Sequence, residues 1–204
     1  MTLPRRGETR MGKLFYLMGK SAAGKDTLFE ALASDRQLGL ARGVIYTTRP
    51  RRDGEQEGVQ YHFVTEEDLA RMRREGRVLE ERTYQTVHGP WTYFTADDGQ
   101  LAKDGPDVLM AGTPESCAAL RRFYGDRLVP LYLTLDDGER LARALARERA
   151  QTHPKYAELC RRFLADEADH NPEALQAAGV TKTFDNTELD GCLAELKAYI
   201  RAQR

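Results

Sequence analysis

The residues best placed to do chemistry form the run Gly19-Lys20-Ser21-Ala22-Ala23-Gly24-Lys25-Asp26-Thr27, a glycine-bracketed loop ending in a lysine. Successive backbone N–H groups in such a loop can line one concavity, while Lys25 reaches the outer phosphates of a nucleotide. The apolar run Leu14–Met18 before it reads as a strand, and the residues from Lys25 onward as a helix start. The unpaired N–H groups and dipole of that helix add to anion binding. An ordinary glycine turn would share the letters; the strand–loop–helix context is what favours the phosphate loop. Ser or Thr normally follows the lysine and helps hold Mg²⁺, but here Asp26 takes that place, with Thr27 next. A carboxylate is a strong magnesium ligand and also a residue favoured in a first helical turn, so Asp26 reads either way.

The second such run is Thr47-Thr48-Arg49-Pro50-Arg51-Arg52-Asp53-Gly54-Glu55. Arginines in a glycine-containing loop after a strand present planar forks suited to bidentate phosphate binding, although a solvated basic loop has the same composition.

Both loops need a rigid frame. Apolar clusters alternate with helical patterns along the chain, which predicts an α/β fold with a mostly parallel sheet. The strands expected are Leu14–Met18, Val44–Thr47, Val108–Ala111, Leu128–Leu135 and Val180–Phe184. The helices expected are Lys25–Ala33, Pro114–Tyr124, Glu139–Arg149, Tyr156–Asp169 and Leu189–Arg201. Between Arg49 and Phe94 the pattern changes to a short strand at Gln60–Val64, a helix at Glu66–Glu75 capped by Thr65, and a strand at Arg77–Thr83. That reads as a small α+β insert.

At 204 residues, 41% hydrophobic and 31% charged, the chain can bury one substantial core as a single domain. A net charge of −1 gives no electrostatic case for nucleic acid or membrane surfaces. Cys117, Cys160 and Cys192 are odd in number and far apart, so neither a disulfide framework nor a zinc site is indicated. The scattered His62, His88, His153 and His170 do not alter that. No apolar run approaches membrane-spanning or signal-peptide length, and the expectation is a cytoplasmic protein. The first ten residues, ahead of Met11, read as a disordered tail or a misplaced start.

From Lys13 to about Arg201 the chain resembles the guanylate kinase family. The family's order of phosphate loop, T-T-R-x-x-R-x-G-E, G-x-x-Y-x-F, helix and glutamate is matched by Thr47-Thr48-Arg49, Arg52, Gly54-Glu55, Gly58, Tyr61, Phe63 and Glu80. The resemblance implies that Arg49, Arg52 and Tyr61 hold the phosphate of GMP and that Glu80 takes the N1 and N2 edge of guanine. It implies that Gly19 through Thr27 and Asn186 bind ATP, the Asp185-Asn186 pair lying near adenine. Arg143 and Arg147, four apart on one helix, and Arg162 match arginines of the family's closing lid. With Lys25 and Arg49 they make up the expected catalytic set; Arg149 reads equally well as a helix-surface residue. The implied fold is a three-layer P-loop NTPase domain over 13–204 after a tail at 1–12. Its core is 13–48 and 95–204, its nucleoside-monophosphate-binding insert about 49–94 and its lid about 143–160. The implied reaction is Mg²⁺-dependent transfer from ATP to GMP, in a monomer or homodimer that handles small-molecule nucleotides.

The chain also departs from the family. The serines that touch guanine align with Ile45 and Pro90, and the D-x-D pair expected after Val108-Leu109-Met110 is Ala111-Gly112-Thr113. An acid is thus missing near the magnesium position while another has arrived at Asp26, which is the expected metal ligand. The same substitutions resemble ribose 1,5-bisphosphate phosphokinases, which match less well across Gly58–Phe63. Guanylate-kinase-like scaffold modules are a third reading, against which the intact Gly19, Gly24 and Lys25 count.

Overall fold

The computed structural model describes residues 11–52, 54–86 and 89–204. Most of the expected tail therefore lies outside the described residues, as do Asp53 and His88. Gly12 is already buried, its N–H donating to Lys103 O at 2.9 Å.

Strand β1 (Leu14–Gly19) is buried along its whole length. Its side chains alternate between two cores, as strand geometry requires. Phe15 and Leu17 face one cluster with Leu28, Leu32, Leu196 and Ile200, and Leu14, Tyr16 and Met18 face another with Met110, Cys117 and Leu120. Helices α1 (Lys25–Ala33) and α7 (Leu189–Ala202) cover the first face, and α3 (Pro114–Tyr124) the second. The result is a three-layer α/β domain around a parallel sheet buried on both faces. The sheet also contains β2 (Ala41–Arg42), β7 (Val108–Ala111), β8 (Leu128–Thr134) and β9 (Thr183–Asp185), in the order β2-β7-β1-β8-β9.

A second sheet, in the order β4-β3-β6-β5, is formed by β3 (Tyr46–Thr47), β4 (His62–Phe63), β5 (Val78–Thr86) and β6 (Gly89–Ala96). Helix α2 (Glu66–Arg74) packs Leu69 and Met72 against Phe94 and Ala96 of that sheet. Thr65 caps the helix in a capping box with Asp68, which matches the expectation for that residue.

The run Val44–Thr47 was expected to extend the parallel sheet, and the structure corrects this. The edge strand there is Ala41–Arg42, and Tyr46–Thr47 belongs to the second sheet. Gln100 explains the crossing. Its side-chain amide donates to Val44 O at 3.0 Å and its carbonyl accepts from Val44 N–H at 2.8 Å, so a single residue replaces a strand neighbour. Strand β6 was not anticipated. Pro90 is the second residue of the strand, where a missing N–H is tolerated.

The C-terminal half adds α4 (Asp137–Arg149), α5 (Tyr156–Asp169) and a short α6 (Pro172–Ala177). Helix α5 contributes no fully buried residue and packs on α4. Among the described residues, no helix is long and apolar enough to cross a membrane.

Candidate active site

The phosphate loop joins β1 to α1, and its backbone explains its glycines. Ala22 and Gly24 both have positive φ, 63° and 88°. A Cβ at Gly24 would also fall 2.2 Å from Asn186 Nδ2, so glycine is required there on two counts. Asn186 donates to Ala23 O at 2.7 Å, and its Oδ1 is buried without a hydrogen-bond partner. Asn186 therefore both fixes the loop and presents an acceptor. Lys25 lies back along the loop with Nζ 3.5 Å from Gly19 O. Desolvation lowers its proton affinity, only partly countered by Asp26 and Asp166. Asp26 and Thr27 are exposed in the first turn of α1.

Helix α5 reaches this loop directly. Asp166 accepts the Ser21 N–H at 2.8 Å and the Ser21 hydroxyl at 3.2 Å, and Lys20 pairs with Glu167. Arg140 of α4 ties the three elements together. Its side chain is 1% exposed and binds Asp166 at 2.9 Å, Ser21 O at 3.1 Å and Asp137, with Phe163 under the guanidinium. Arg143 reaches the backbone oxygens of Asn186 and Thr187 at 3.3 and 3.4 Å. Arg147 is exposed on α4, and Arg162 is held on α5 by Glu158 at 2.8 Å. Arg161 and Arg162 hold the Glu158 carboxyl down at about 2.

The second sheet and the loop between β3 and β4 carry the other candidate residues. Arg49 is buried and makes a two-pronged pair with Glu55 at 2.7 and 3.0 Å. Its guanidinium lies 5.3 Å from the Tyr61 ring and 5.6 Å from the Phe63 ring. Burial raises the Tyr61 hydroxyl pKa. Arg52 is exposed, and its backbone N–H donates to Glu55 at 2.7 Å. Glu80 accepts from the Thr95 hydroxyl at 2.7 Å.

A family model described as guanylate kinase matches residues 11–91. The guanylate kinase of Chelativorans sp. (strain BNC1) is 32% identical over 199 residues, covering 96% of this chain and 85% of that protein. The chain belongs to the guanylate kinase family. Another member, the guanylate kinase of Symbiobacterium thermophilum, is 30% identical over 95% of this chain and 86% of its own length. The crystal structure of guanylate kinase from Anaplasma phagocytophilum superposes with a TM-score of 0.62 at 19% identity, covering 95% and 87% of the two chains, and supports the same fold.

Within that family the departures of this chain have visible structural causes. Pro90 pairs with Gln85 far along the hairpin, whereas Thr95 stands directly opposite Glu80. At the end of β7, Gly112 is required because a Cβ would lie 2.1 Å from the Tyr16 hydroxyl. Thr113 caps α3, so the residues aligned with the acidic pair serve packing and capping. Among the described residues no group of three or more His, Cys, Asp or Glu side chains could hold a metal ion by itself. Magnesium commonly uses one or two carboxylates together with substrate phosphates, and Asp26 beside the phosphate loop fits that sparse donor set. Glu115, the other acid near this end, lies 3.8 Å from Arg82.

Sequence reasoning missed Arg140, Asp166, Thr95 and Arg82. Arg140 had a signal, since it precedes Arg143 and Arg147 by three and seven residues on the same helix face. Asp166, Thr95 and Arg82 had none, because their partners are remote in the sequence.

Proposed function

We propose that this chain transfers the γ-phosphoryl group of ATP to the phosphate of GMP, giving ADP and GDP. What supports the reading is a phosphate loop bearing Lys25 together with a second sheet and adjoining loops bearing Arg49, Tyr61 and Glu80, in a chain that belongs to this family. Lys25 and the loop N–H groups hold the phosphates of ATP, and Asn186 and the α4 residue Arg143 border its base. Arg49, Arg52 and Tyr61 hold the acceptor phosphate, with Arg49 exchanging part of its pairing with Glu55 for the ligand. Arg147 and Arg162 meet the transferring group when α4 and α5 close over the substrates, and closure excludes water that would otherwise hydrolyse ATP. Asp26 would hold Mg²⁺, which supplies charge neutralisation between the phosphates. Little covalent chemistry is asked of the protein, since positioning and electrostatic stabilisation dominate such reactions. The free thiols Cys117, Cys160 and Cys192 and the nucleotide substrates suit a cytoplasmic setting.

Guanine recognition tests the acceptor. Glu80→Gln turns an acceptor oxygen into a donor facing the guanine N–H groups, so GMP binding should weaken by about 2–4 kcal/mol with ATP affinity unchanged. Calorimetric titration of both nucleotides measures this, and GMP affinity equal to the parent's would rule out base reading by Glu80.

A magnesium titration tests Asp26. Asp26→Asn should raise the Mg²⁺ concentration needed for half-maximal activity, because a charged oxygen is the stronger ligand. Asp26→Ser, which restores the usual hydroxyl, should recover little while positions 111 and 113 lack an acid. If Asp26→Ser matches the parent at low Mg²⁺, the carboxylate is only a helix-start residue.

A further inference from the structure

On β5, Glu80 and Arg82 are two residues apart and share one face of the sheet, while Glu81 on the other face pairs with Arg73 of α2 at 2.8 Å. The register places Thr95 opposite Glu80 and Tyr93 opposite Arg82, so the two rows step along the acceptor wall. Tyr93 packs edge-on to Tyr61 with ring centroids 5.6 Å apart, and Tyr61 lies against Arg49. Arg82 therefore stands one row from the residue assigned to the base, on the side of the residues assigned to the acceptor phosphate.

Its one described hydrogen-bond partner is neutral. The guanidinium donates to the Thr113 hydroxyl and lies 5.5 Å from the Tyr84 ring. Glu115 is 3.8 Å away, beyond hydrogen-bond distance, with its own side chain 75% exposed. Arg49 has a two-pronged carboxylate and Arg140 is bound by Asp137 and Asp166; Arg82, 19% exposed, has a neutral hydroxyl, the face of a ring and a longer ion pair with the exposed Glu115. A guanidinium has five N–H donors, and one bonded hydroxyl with a carboxylate at 3.8 Å leaves donors for a further anion. It borders an opening of about 350 Å³ that continues past Tyr84 to Glu115 and Asp169. Its positive charge is also felt at Lys25, where it further lowers the lysine's proton affinity.

We propose that Arg82 is a further substrate-contacting residue of the acceptor site, a cation that donates to the acceptor's phosphate from β5, beside the end of β7 where Ala111 and Thr113 leave no carboxylate. This role rests on the phosphotransferase reading of the same site. It makes the acceptor site one guanidinium richer than Arg49, Arg52 and Tyr61 alone, and it places a positive charge where a β7 carboxylate would otherwise bind metal.

The test uses Arg82→Gln and Arg82→Lys in the full chain, with thermal melting to check folding and titrations of GMP, guanosine and ATP with Mg²⁺. Charge-assisted bonds to phosphate are worth roughly 10- to 100-fold in affinity. Arg82→Gln should raise the Kd and KM for GMP by about that factor, leave guanosine and ATP within about twofold, and be partly rescued by Arg82→Lys. GMP affinity within twofold of the parent, or a parallel loss for GMP and guanosine, overturns the phosphate contact. A parent protein that neither binds nor phosphorylates GMP overturns the function reading instead. The same parent-to-variant affinity ratio, measured with ribose 1,5-bisphosphate, then decides whether Arg82 holds a phosphate.

Discussion

Lys25→Ala is expected to lower phosphoryl transfer by about a hundredfold or more while leaving the fold intact. The factor is the scale of removing one preorganised charge from the stabilisation of a transition state. The geometry explains why folding should survive. Lys25 makes a long 3.5 Å contact to Gly19 O and contributes to none of the three hydrophobic clusters, so removing it opens no core cavity. Its lowered proton affinity comes first from desolvation, only partly countered by Asp26 and Asp166. Removing such a group costs the apoprotein little, whereas the phosphates of ATP are deprived of the charge that faces them. ADP release under saturating substrates, read beside a thermal melt, checks both halves. Near-parental turnover in folded Lys25→Ala protein would remove the central claim.

Arg140→Ala should cost about 3 kcal/mol of stability, toward the low end of the range for breaking a buried ion pair. The guanidinium is 1% exposed and Asp166 13% exposed, so the substitution leaves a largely dehydrated carboxylate. Asp137 and Glu167, 53% and 49% exposed, can turn to water, which is why the loss stays below the top of the range. Asp166 also keeps its bonds from Ser21. For a chain of this size the melting temperature should fall by roughly 6–12 °C. The double variant Arg140→Ala with Asp166→Asn should recover part of the loss, because neutralising the stranded carboxylate removes the uncompensated charge. A loss below about 1 kcal/mol for Arg140→Ala alone would mean that the cluster behaves as a solvated surface pair. Because the same cluster fixes the Ser21 backbone, ATP affinity should weaken along with stability.

Features governed by near neighbours in the chain were legible in its residues. The strand–loop–helix layout of Leu14 to Ala33, the Thr65 cap and the helices Pro114–Tyr124 and Tyr156–Asp169 follow from local periodicity, capping and glycine placement, and they stand at the expected residues. The family motifs likewise marked Lys25, Arg49, Tyr61 and Glu80 as candidates from short spacings in the sequence. Packing settled the remainder, wherever the deciding partner is distant in the chain. Val44–Thr47 has good strand residues, yet Gln100, more than fifty positions away, turns the chain out of the parallel sheet at Val44. Whether a hydroxyl meets Glu80 depended on the hairpin register, which selects Thr95 and sets Pro90 aside. Asp166 reads in sequence as one acid on a polar helix, and it becomes a clamp on Ser21 only because α5 packs beside the phosphate loop. Arg82 looks like an exposed charge in an alternating strand until the end of β7 closes over it with Thr113 instead of a carboxylate. Local sequence fixes an element because its hydrogen bonds close within a few residues; a cleft is made by groups that meet only after the sheets pack, and their charges take on meaning from what that packing leaves unpaired.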